Sequence, residues 1–486
     1  MKIVLLYPLW TGSYTGVNKY FARKAGGTFP PLTLALLAAI AQKQGHEVEI
    51  IDAEADKISP DDVVKMVMKK KADLIGMSGM SAFFHLSQSI AVDLKAKGEK
   101  AKICIGGPHI TIVEEENFNK AFDYAFIGDG EESWAKFLEV YSKNGSLDTV
   151  PGLMYRQGEE VIKNERVPIN PDLDLIPRPA YDLLDMSKYI FGTLRGRLNF
   201  ATIQTIRGCP WKCIFCASDQ LDTTRISKRS VESVVDEMEY LVNHQGVTHI
   251  AFCDDVLTLH KARTMEMCNL ILDRKLKVTF EGGTRANLLD EELVALMAKA
   301  GLIRLSFGLE TADEDMRDVM KKKVPLEAYT VANALLNKYD VEALNSCMIG
   351  LPGETEENVR KTLAFLRDAK DVKQANFAIA VPYPGTEFHE MAVHNQGGVT
   401  LLSDDFSEYK RYGSPVTTVN GLTPDDLIRL QNEGFLSVYS RYWRWWPVVK
   451  KNGFMGLAMT FYRLLALLTA RFTDRLVRFN KHPTLE

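Results

Sequence analysis

Three cysteines within eight residues are the strongest chemical signal in this 486-residue sequence. The segment RGCPWKCIFCASD places Cys209, Cys213 and Cys216 in a CxxxCxxC pattern directly after a predicted strand. Thiolates are the standard ligands of iron–sulfur clusters, and a loop this short is able to place three sulfurs on three irons of a cubane. The fourth iron then has no protein ligand and is free to bind another molecule.

Two other interpretations of the three cysteines remain, a zinc knuckle and an accidental cluster. A zinc knuckle needs a fourth Cys or His at a suitable spacing, and the closest histidines are His244 and His249. A disulfide framework is not expected, because the seven cysteines are an odd number spread over a long chain. The cysteines interpreted as small core residues are Cys104, Cys253, Cys268 and Cys347.

The cysteine pattern resembles the signature of the radical S-adenosylmethionine (SAM) superfamily, CxxxCxΦC, in which Φ is aromatic and is here Phe215. The resemblance spans residues 200 to about 390. It implies a [4Fe-4S] cluster on the three cysteines, with SAM chelated to the open iron through its amino and carboxylate groups. One-electron reduction then splits SAM into methionine and a 5'-deoxyadenosyl radical. Phe215 would pack beside the adenine, and the reductant is an external protein such as flavodoxin or ferredoxin.

Acidic residues follow two strands of the same region. Where many members of the superfamily carry a Gly-Gly-Glu element, this chain has FCDDVLT, so Asp254 and Asp255 are candidates to hold the SAM ammonium group. A solvated acidic turn is the alternative. Glu310, in FGLETAD, is a candidate to bond the ribose hydroxyls or the ammonium group, and an ordinary acid at a helix N-terminus is its alternative.

Two further segments complete the predicted SAM site. In IGLPGETEEN, Gly350 and Gly353 allow the backbone to approach a ligand closely, although glycines alone are a weak signal. The segment VPYPGTEF ends a strand in the manner of the same enzymes and places Pro384 in a wall near the adenine.

The N-terminal part resembles the B12-binding domain of cobalamin-dependent radical SAM enzymes, through IGGPHIT (105–111) and FIGDGEES (126–133). The resemblance implies that glycines in these two turns admit the dimethylbenzimidazole tail of cobalamin, whereas two ordinary tight turns are the alternative. These glycines are Gly106, Gly107, Gly128 and Gly130. Because residues 1–150 contain no DxHxxG motif, a histidine ligand to cobalt is not expected, and His109 is interpreted as part of the turn.

Continuous apolar strands alternate with helical segments in both halves of the chain. The first five predicted strands lie at 2–7, 47–53, 72–79, 102–107 and 124–129. They predict a parallel sheet covered on both faces, in a flavodoxin-like, doubly wound α/β domain. Six more lie at 201–207, 248–254, 277–283, 303–310, 342–350 and 375–383, and they predict a partial (β/α)6 barrel. The candidate SAM residues all fall near the carboxyl ends of these six strands, where the active sites of βα-barrels collect.

These patterns divide the chain into four predicted parts. A hairpin near 150–165 and a stretch at 167–185 with four prolines separate the two sheets. The parts are a cobalamin-binding domain (1–148), a hairpin and linker (149–195), a radical SAM core (196–395) and a mainly helical C-terminal region (396–486).

Composition narrows the location and the partners. A net charge of -4 and a pI near 6.2 give no basic field, so nucleic acid is not expected as a partner. The apolar run MKIVLLYPLW is followed by polar, Gly-rich sequence without a small-residue cleavage site, so it is interpreted as a first strand and a cytoplasmic protein is predicted. Residues 441–486 carry nine basic and two acidic residues, and three tryptophans lie at 443, 445 and 446. We expect peripheral membrane contact through an interfacial helix within 441–480, with a helical cap packed on the barrel as the alternative.

The predicted function is methylation of an unactivated carbon by a cobalamin-dependent radical SAM enzyme, on a small molecule that is apolar or lipid-like. One alternative keeps both cofactors but ends in oxidation, cyclisation or rearrangement, as in anaerobic tetrapyrrole cyclase relatives. A second alternative is a cobalamin-binding protein without catalysis. Product analysis separates the first two, because S-adenosylhomocysteine is formed only when a methyl group is transferred.

Anaerobic reconstitution with iron and sulfide is expected to yield about four irons per chain, because three thiolates are sufficient to hold a cubane. Cys209→Ala, Cys213→Ala and Cys216→Ala should each abolish SAM cleavage, measured as release of 5'-deoxyadenosine. Cys268→Ala is the control and should retain it. Wild-type cleavage in the three ligand variants would contradict the assignment.

Overall fold

The first sheet has the strand order of a flavodoxin-like domain. The computed structural model describes residues 1–10, 28–166, 172–193, 196–221, 226–444 and 446. Five parallel strands occur in the order β2-β1-β3-β4-β5. They are β1 (Lys2–Tyr7), β2 (Glu47–Asp52), β3 (Leu74–Ser78), β4 (Lys102–Gly106) and β5 (Tyr124–Phe126). The centre of β1 is buried on both faces, as in a sheet covered by helices on each side. The predicted doubly wound domain is confirmed.

A hairpin extends this sheet beyond its last parallel strand. Strands β6 (Leu153–Gln157) and β7 (Glu160–Lys163) pair with each other, and β6 pairs antiparallel with β5. The predicted hairpin is therefore present and belongs to the first sheet. The helices of this part are α1 (Leu32–Lys43), α2 (Ala53–Asp56), α3 (Pro60–Lys70), α4 (Phe84–Ala96), α5 (Pro108–Val113) and α6 (Gly130–Ser142).

The second sheet is an open half-barrel with seven strands. Its strands are β8 (Ile190–Thr193), β9 (Gly196–Ile203), β12 (His249–Phe252), β13 (Thr279–Thr284), β14 (Leu302–Glu310), β15 (Glu342–Ile349) and β16 (Gln374–Ile379). The six strands from β9 to β16 in this sheet are parallel, and β8 pairs antiparallel with β9 at one edge. The predicted six-stranded partial barrel is confirmed. A short ribbon of β10 (Ile206–Arg207) and β11 (Ser227–Lys228) lies apart from the sheet.

Helices follow the strands of the half-barrel. They are α7 (Val231–Gln245), α8 (Lys261–Asp273), α9 (Glu291–Ala300), α10 (Glu314–Val319), α11 (Leu326–Lys338), α12 (Glu356–Asp368) and α13 (Glu387–Val393). Side-chain caps set where many of them begin, because each cap oxygen accepts a backbone N–H of the first turn. Caps of this kind are Ser230, Asp290, Asp313, Thr355 and Thr386.

The described part of the C-terminal region contains both strands and a helix. Strands β17 (Val399–Leu401) and β18 (Thr417–Val419) form an antiparallel ribbon, and helix α14 (Pro424–Tyr439) packs on β16. The prediction of a mainly helical region is not confirmed by these residues. Residues 447–486, which hold most of the segment predicted to contact membranes, lie outside the described residues.

Arg444 belongs to the predicted membrane-contacting segment but points into the protein. It is 9% exposed, and its guanidinium donates to the carbonyls of Val372 (2.9 Å), Val438 (2.8 Å) and Ala369 (3.1 Å). The guanidinium of Arg444 therefore binds backbone carbonyls near the ends of α12 and α14 and before β16, and it is not free to bind a lipid phosphate. Among the described residues, no helix combines the length and the apolar character needed to cross a membrane.

Candidate functional site

The cysteine loop is held across the carboxyl ends of the barrel strands. Its buried Ile214 donates its N–H to the Met320 carbonyl (3.3 Å) and accepts the N–H of Phe388 (2.9 Å). Met320 lies beyond the end of β14, and Phe388 lies beyond the end of β16. Segments that follow two different strands, β14 and β16, therefore fix the centre of the loop.

The three cysteines present free, partly exposed thiols. Burial raises the pKa of the Cys209 and Cys213 thiols, and the nearby cations of Lys322 and Arg285 oppose this rise at Cys213. Within the described residues, no three His, Cys, Asp or Glu side chains are placed to hold a single metal ion. A cubane does not require that placement, because each thiolate binds a different iron. Three free thiols in one loop thus form a donor set that fits a [4Fe-4S] cluster.

Arg285 supplies a buried positive charge beside this loop. It is 6% exposed, its guanidinium carbon lies 4.1 Å from the centroid of the Trp211 ring, and it donates to the Lys322 carbonyl. Its Nε has no hydrogen-bond partner in the described part of the chain. The charge of Arg285 opposes the rise in the pKa of the Cys213 thiol and so favours its ionised form. Sequence reasoning missed this residue, whose only signal was its position directly after β13.

Glu310 forms a buried ion pair at the end of β14. Its Oε1 lies 3.0 Å from Lys322 Nζ, which in turn lies 5.9 Å from the centroid of the Phe215 ring. Glu310 has a φ of 59°, and a Cβ on Gly308 would come within 1.9 Å of its carboxylate oxygen. A non-glycine residue in the left-handed region carries a backbone cost of about 1–2 kcal/mol, and such strain clusters at functional sites.

The two aspartates after β12 occupy different positions. Asp254 is buried, and its carboxylate accepts the N–H of Thr205 (2.6 Å), the Thr205 hydroxyl (2.6 Å) and the N–H of Ile206 (3.0 Å). Burial raises the pKa of Asp254 to about 6. Asp255 is exposed, and its pKa is raised by desolvation, which the backbone N–H of Gly208, next to the first cysteine, opposes. Asp254 thus shapes the backbone that leads into the cysteine loop, and Asp255 is the member of the pair that is open to a ligand.

The turn after β15 is organised by a carboxylate that sequence reasoning did not select. Glu354 is buried and accepts the N–H groups of Gly350 (2.6 Å) and Leu351 (3.2 Å), and burial raises its pKa to about 7. Gly350 and Gly353 have φ values of 94° and 80°, which favour glycine. A Cβ on Gly353 would meet no atom within 4 Å, so its surroundings are open.

The glycines of the first domain differ in the space around them. Gly107 has a φ of 102°, and a Cβ there would lie 2.8 Å from Ser78 Oγ and 2.9 Å from the Gly79 carbonyl oxygen. Gly128 has a φ of 90°. A Cβ on Gly106 or Gly130 would meet its nearest atoms at 3.8 and 3.9 Å, which are ordinary contacts. Gly107 is therefore required by the packing of the β3 and β4 turns, whereas a Cβ on Gly106 or Gly130 would be tolerated by its neighbours.

His109 is buried in the interior of the turn where it occurs. Its Nδ1 lies 3.0 Å from Ser81 Oγ, and its ring packs on Phe84 and, from the C-terminal region, on Phe406. Burial lowers the pKa of His109 to about 4, so the ring is neutral at neutral pH.

The strand ends of the two sheets meet in space. A Cβ on Gly385 would come within 2.7 Å of Ile112 in α5 and within 3.1 Å of Gln220, which follows the cysteine loop. The buried Pro384 precedes this contact. The turn after β16, the turn after β4 and the cysteine loop therefore lie together.

Comparisons with known proteins agree with this two-part arrangement. A family model described as the Radical SAM superfamily matches residues 203–366, and one described as the B12 binding domain matches residues 18–138. An uncharacterized methyltransferase of Pyrococcus horikoshii is 30% identical over 443 residues, which are 91% of this chain and 93% of that protein. The chain belongs to the cobalamin-dependent radical SAM family.

Other relatives cover nearly the whole of this radical SAM enzyme. The anaerobic magnesium-protoporphyrin IX monomethyl ester cyclase of Cereibacter sphaeroides is 26% identical over 91% of this chain and 70% of its own length. The solved structure of the radical SAM methyltransferase TsrM from Kitasatospora setae, with cobalamin and a [4Fe-4S] cluster bound, has a TM-score of 0.71 at 17% identity. That match covers 90% of this chain and 88% of TsrM, and it shows a shared fold. Membership of the family implies three cofactors, a [4Fe-4S] cluster, SAM and cobalamin.

Small residues line the interior of the half-barrel in this radical SAM enzyme. Alternate residues of β13 to β16 are half-buried, while those between them are buried on the opposite face, as the two-residue period of a strand requires. In the strand register, Gly283 pairs with Ser306 and Gly308 pairs with Ser346. Deeper in the sheet, Arg304 and Glu281 form an ion pair (2.6 Å). Small residues thus occupy the paired positions Gly283–Ser306 and Gly308–Ser346, and an ion pair lies deeper in the same sheet.

Glu354→Gln is expected to change how stability depends on pH. The folded protein holds a proton on Glu354 more tightly than the unfolded chain does, since its pKa rises from 4.5 to about 7. Stability of the wild type should therefore fall, relative to the glutamine variant, as pH rises through this window, by up to about 3 kcal/mol. Denaturant unfolding at several pH values measures the difference.

The exposed neighbour Glu357 provides the matched control, as Glu357→Gln. A difference between wild type and Glu354→Gln that stays constant with pH, or that changes in the opposite direction, would contradict the assigned cause.

Proposed function

We propose that this enzyme methylates an unactivated carbon of an apolar, lipid-like small molecule, with the methyl group carried by cobalamin. The observation that carries the proposal is the contact of the cysteine loop and the β16 turn with the turn after β4, through Gln220, Gly385 and Ile112. A radical source and a methyl donor must reach the same substrate carbon, and this contact brings their proposed sites together. Membership of a family with methyltransferase relatives supports the same reaction.

The residues of the cysteine loop and the strand ends hold the first two cofactors. When bound, the cluster and SAM supply a 5'-deoxyadenosyl radical, and cobalamin supplies the methyl group. We assign the cluster to Cys209, Cys213 and Cys216. Arg285 places a positive charge beside the Cys213 sulfur, and this charge stabilises the anionic thiolate.

Asp255 is the residue we assign to the SAM ammonium group, because its carboxylate is exposed beside Cys209. Asp254 is reassigned to a positioning role, since its oxygens already accept three hydrogen bonds from Thr205 and Ile206. Glu310 is proposed to act on SAM indirectly, through its ion pair with Lys322. The Nζ of Lys322 lies 5.9 Å from the centroid of the Phe215 ring.

The other proposed contacts with SAM and cobalamin come from an aromatic ring, a proline and glycine turns. Phe215 and Pro384 are proposed to border the adenine, and Gly350 and Gly353 to let the backbone approach SAM. The proposed cobalamin contacts are Gly106, Gly107, Gly128 and Gly130, of which Gly107 acts by allowing two turns to pack closely.

The lipid-like character of the substrate rests on the composition of residues 441–480, and the inward-pointing Arg444 removes one basic residue from that argument. A one-electron reductant such as flavodoxin or ferredoxin is required, because the reaction consumes an electron that no side chain of this chain supplies.

A second candidate function is an oxidative cyclisation or rearrangement with the same cofactors. The similarity to the magnesium-protoporphyrin cyclase, at 26% identity over 91% of this chain, supports it less strongly than the 30% identity to the Pyrococcus horikoshii methyltransferase supports methylation. The two functions differ in whether a methyl group leaves SAM.

Anaerobic incubation of the reconstituted enzyme with methyl-deuterated SAM and a lipid extract from cells lacking the gene tests the reaction. S-adenosylhomocysteine and 5'-deoxyadenosine should form together, and mass spectrometry should find the deuterated methyl group in one lipid species. Formation of 5'-deoxyadenosine without S-adenosylhomocysteine would favour cyclisation. Absence of both products from fully loaded enzyme would favour a cobalamin-binding protein without catalysis.

Gly106→Val and Gly130→Val are expected to weaken cobalamin binding while the iron content stays unchanged. A Cβ on Gly106 or Gly130 would meet its nearest protein atoms at ordinary contact distances of 3.8 and 3.9 Å, so we expect the larger side chain to disturb the ligand more than the protein. Overpacking costs about 1–3 kcal/mol, which corresponds to a loss of affinity of about fivefold or more. Titration with hydroxocobalamin measures the affinity, and Ala135→Val on the same helix, α6, is the control. Wild-type affinity in both glycine variants would remove these turns from the cobalamin site.

A further inference from the structure

Arg207 joins the two proposed cofactor sites directly. It ends β10 and lies two residues before Cys209. Its Nη2 donates to Glu131 Oε1 (2.8 Å), and its Nη1 donates to Asp129 Oδ2 (2.7 Å). These two acids flank Gly130 in the turn that opens α6. One side chain therefore bonds the glycine turn of the B12-binding domain from the base of the cysteine loop.

The contact is enclosed and geometrically defined. The side chains of Arg207 and Glu131 are 13% and 16% exposed, and Asp129 is 32% exposed. Gln204 adds a fourth group, since its Oε1 accepts from Arg207 Nε (3.3 Å) and Nη2 (3.1 Å). A planar guanidinium held by several acceptors has a fixed orientation, so a shift of one partner is transmitted to the others.

Two polar contacts between the linker and the first domain lie away from the cofactor turns. Tyr189, in the linker, donates its hydroxyl to Asp52 at the end of β2 (2.8 Å), and Lys188 pairs with Asp56 (2.5 Å). These contacts fasten the linker to the first domain. The Arg207 contact differs from these two because both of its ends belong to segments that are proposed to hold a cofactor.

We propose that Arg207 is a positioning residue that couples cobalamin binding to the geometry of the iron–sulfur cluster. The inference rests on the proposed function, in which the turn at Gly128–Gly130 contacts cobalamin and Cys209 binds iron. When bound cobalamin fixes the positions of Asp129 and Glu131, it also fixes the guanidinium of Arg207. Only Gly208 separates Arg207 from Cys209 in the sequence. Coupling between two binding sites is reciprocal, so a loaded cluster must raise the affinity for cobalamin by the same factor by which cobalamin favours the cluster.

The burial and charge of Arg207 explain why it suits a positioning role. Arg207 is opposed by two carboxylates, and their charges raise its pKa against the lowering effect of burial, so the guanidinium is always charged. The pKa of Glu131 is lowered by the charge of Arg207 although burial acts to raise it. The link therefore persists across the pH range in which the enzyme is handled, and its effect is conformational.

The affinity for hydroxocobalamin, measured in cluster-loaded and in cluster-free protein, tests this coupling. We expect the wild-type enzyme to bind cobalamin at least about fivefold more tightly when the cluster is present, the lower end of ordinary coupling. In Arg207→Gln the ratio of the two affinities should fall to about one. Arg274→Gln is the matched control, because Arg274 also bonds two carboxylates, those of Asp236 and Glu239, but on the outer helices. It should keep the wild-type ratio.

A spectroscopic readout separates positioning from a general loss of structure. Cobalamin should shift the electron paramagnetic resonance spectrum of the reduced cluster in the wild type and in Arg274→Gln, but not in Arg207→Gln. Exchange of the two charges, Arg207→Glu with Glu131→Arg, should restore part of the shift. If Arg207→Gln does not retain its cluster, Glu131→Gln tests the same link from the other domain, with the same loss of coupling expected.

The outcomes distinguish this inference from the proposed function. A wild-type enzyme that loads both cofactors with an affinity ratio of one overturns the coupling alone. A wild-type ratio retained in both Arg207→Gln and Glu131→Gln does the same. A wild-type chain that binds no cobalamin overturns the coupling together with the proposed function.

Discussion

The carboxyl-terminal edges of two parallel sheets face each other, and the candidate cofactor contacts depend on that arrangement. Parallel strands gather their following loops at one edge, so each sheet brings several loops together. The close approach of Gly385 to Ile112, and the bonds from Arg207 to the turn at Asp129 and Glu131, place these two edges against each other. Without that contact, the cysteine loop and the glycine turns would be two separate binding sites.

The buried carboxylates at the strand ends make hydrogen bonds or ion pairs within the protein and are therefore not open to a ligand. Asp254 and Glu354 accept backbone N–H groups, and burial raises the pKa of both. Glu310 is neutralised by Lys322. Burying a charge is costly unless it is paired or hydrogen-bonded, and each of these acids meets that condition inside the chain. Asp255, which is exposed, is the acid of this group that remains open to a small cation such as the SAM ammonium group.

Much of the fold could be predicted because continuous apolar runs mark strands that are buried on both faces. The strand β8 and the ribbon of β17 and β18 were missed, since three or four residues carry too little periodicity. The cysteines were recognised by their spacing in the sequence. Arg285 was not recognised, because its partner carbonyl on Lys322 lies 37 positions away and becomes a neighbour only after β13 and β14 align.

The distance between the two metal centres tests the central claim most directly, because the facing sheets require the cluster and the cobalt to be neighbours in one chain. In fully loaded enzyme, reduction of the cluster should accelerate the electron spin relaxation of cob(II)alamin through magnetic interaction. The acceleration should disappear in Cys213→Ala, which still binds cobalamin but lacks the cluster. Identical relaxation of cob(II)alamin with the cluster reduced and with the cluster absent would contradict the account.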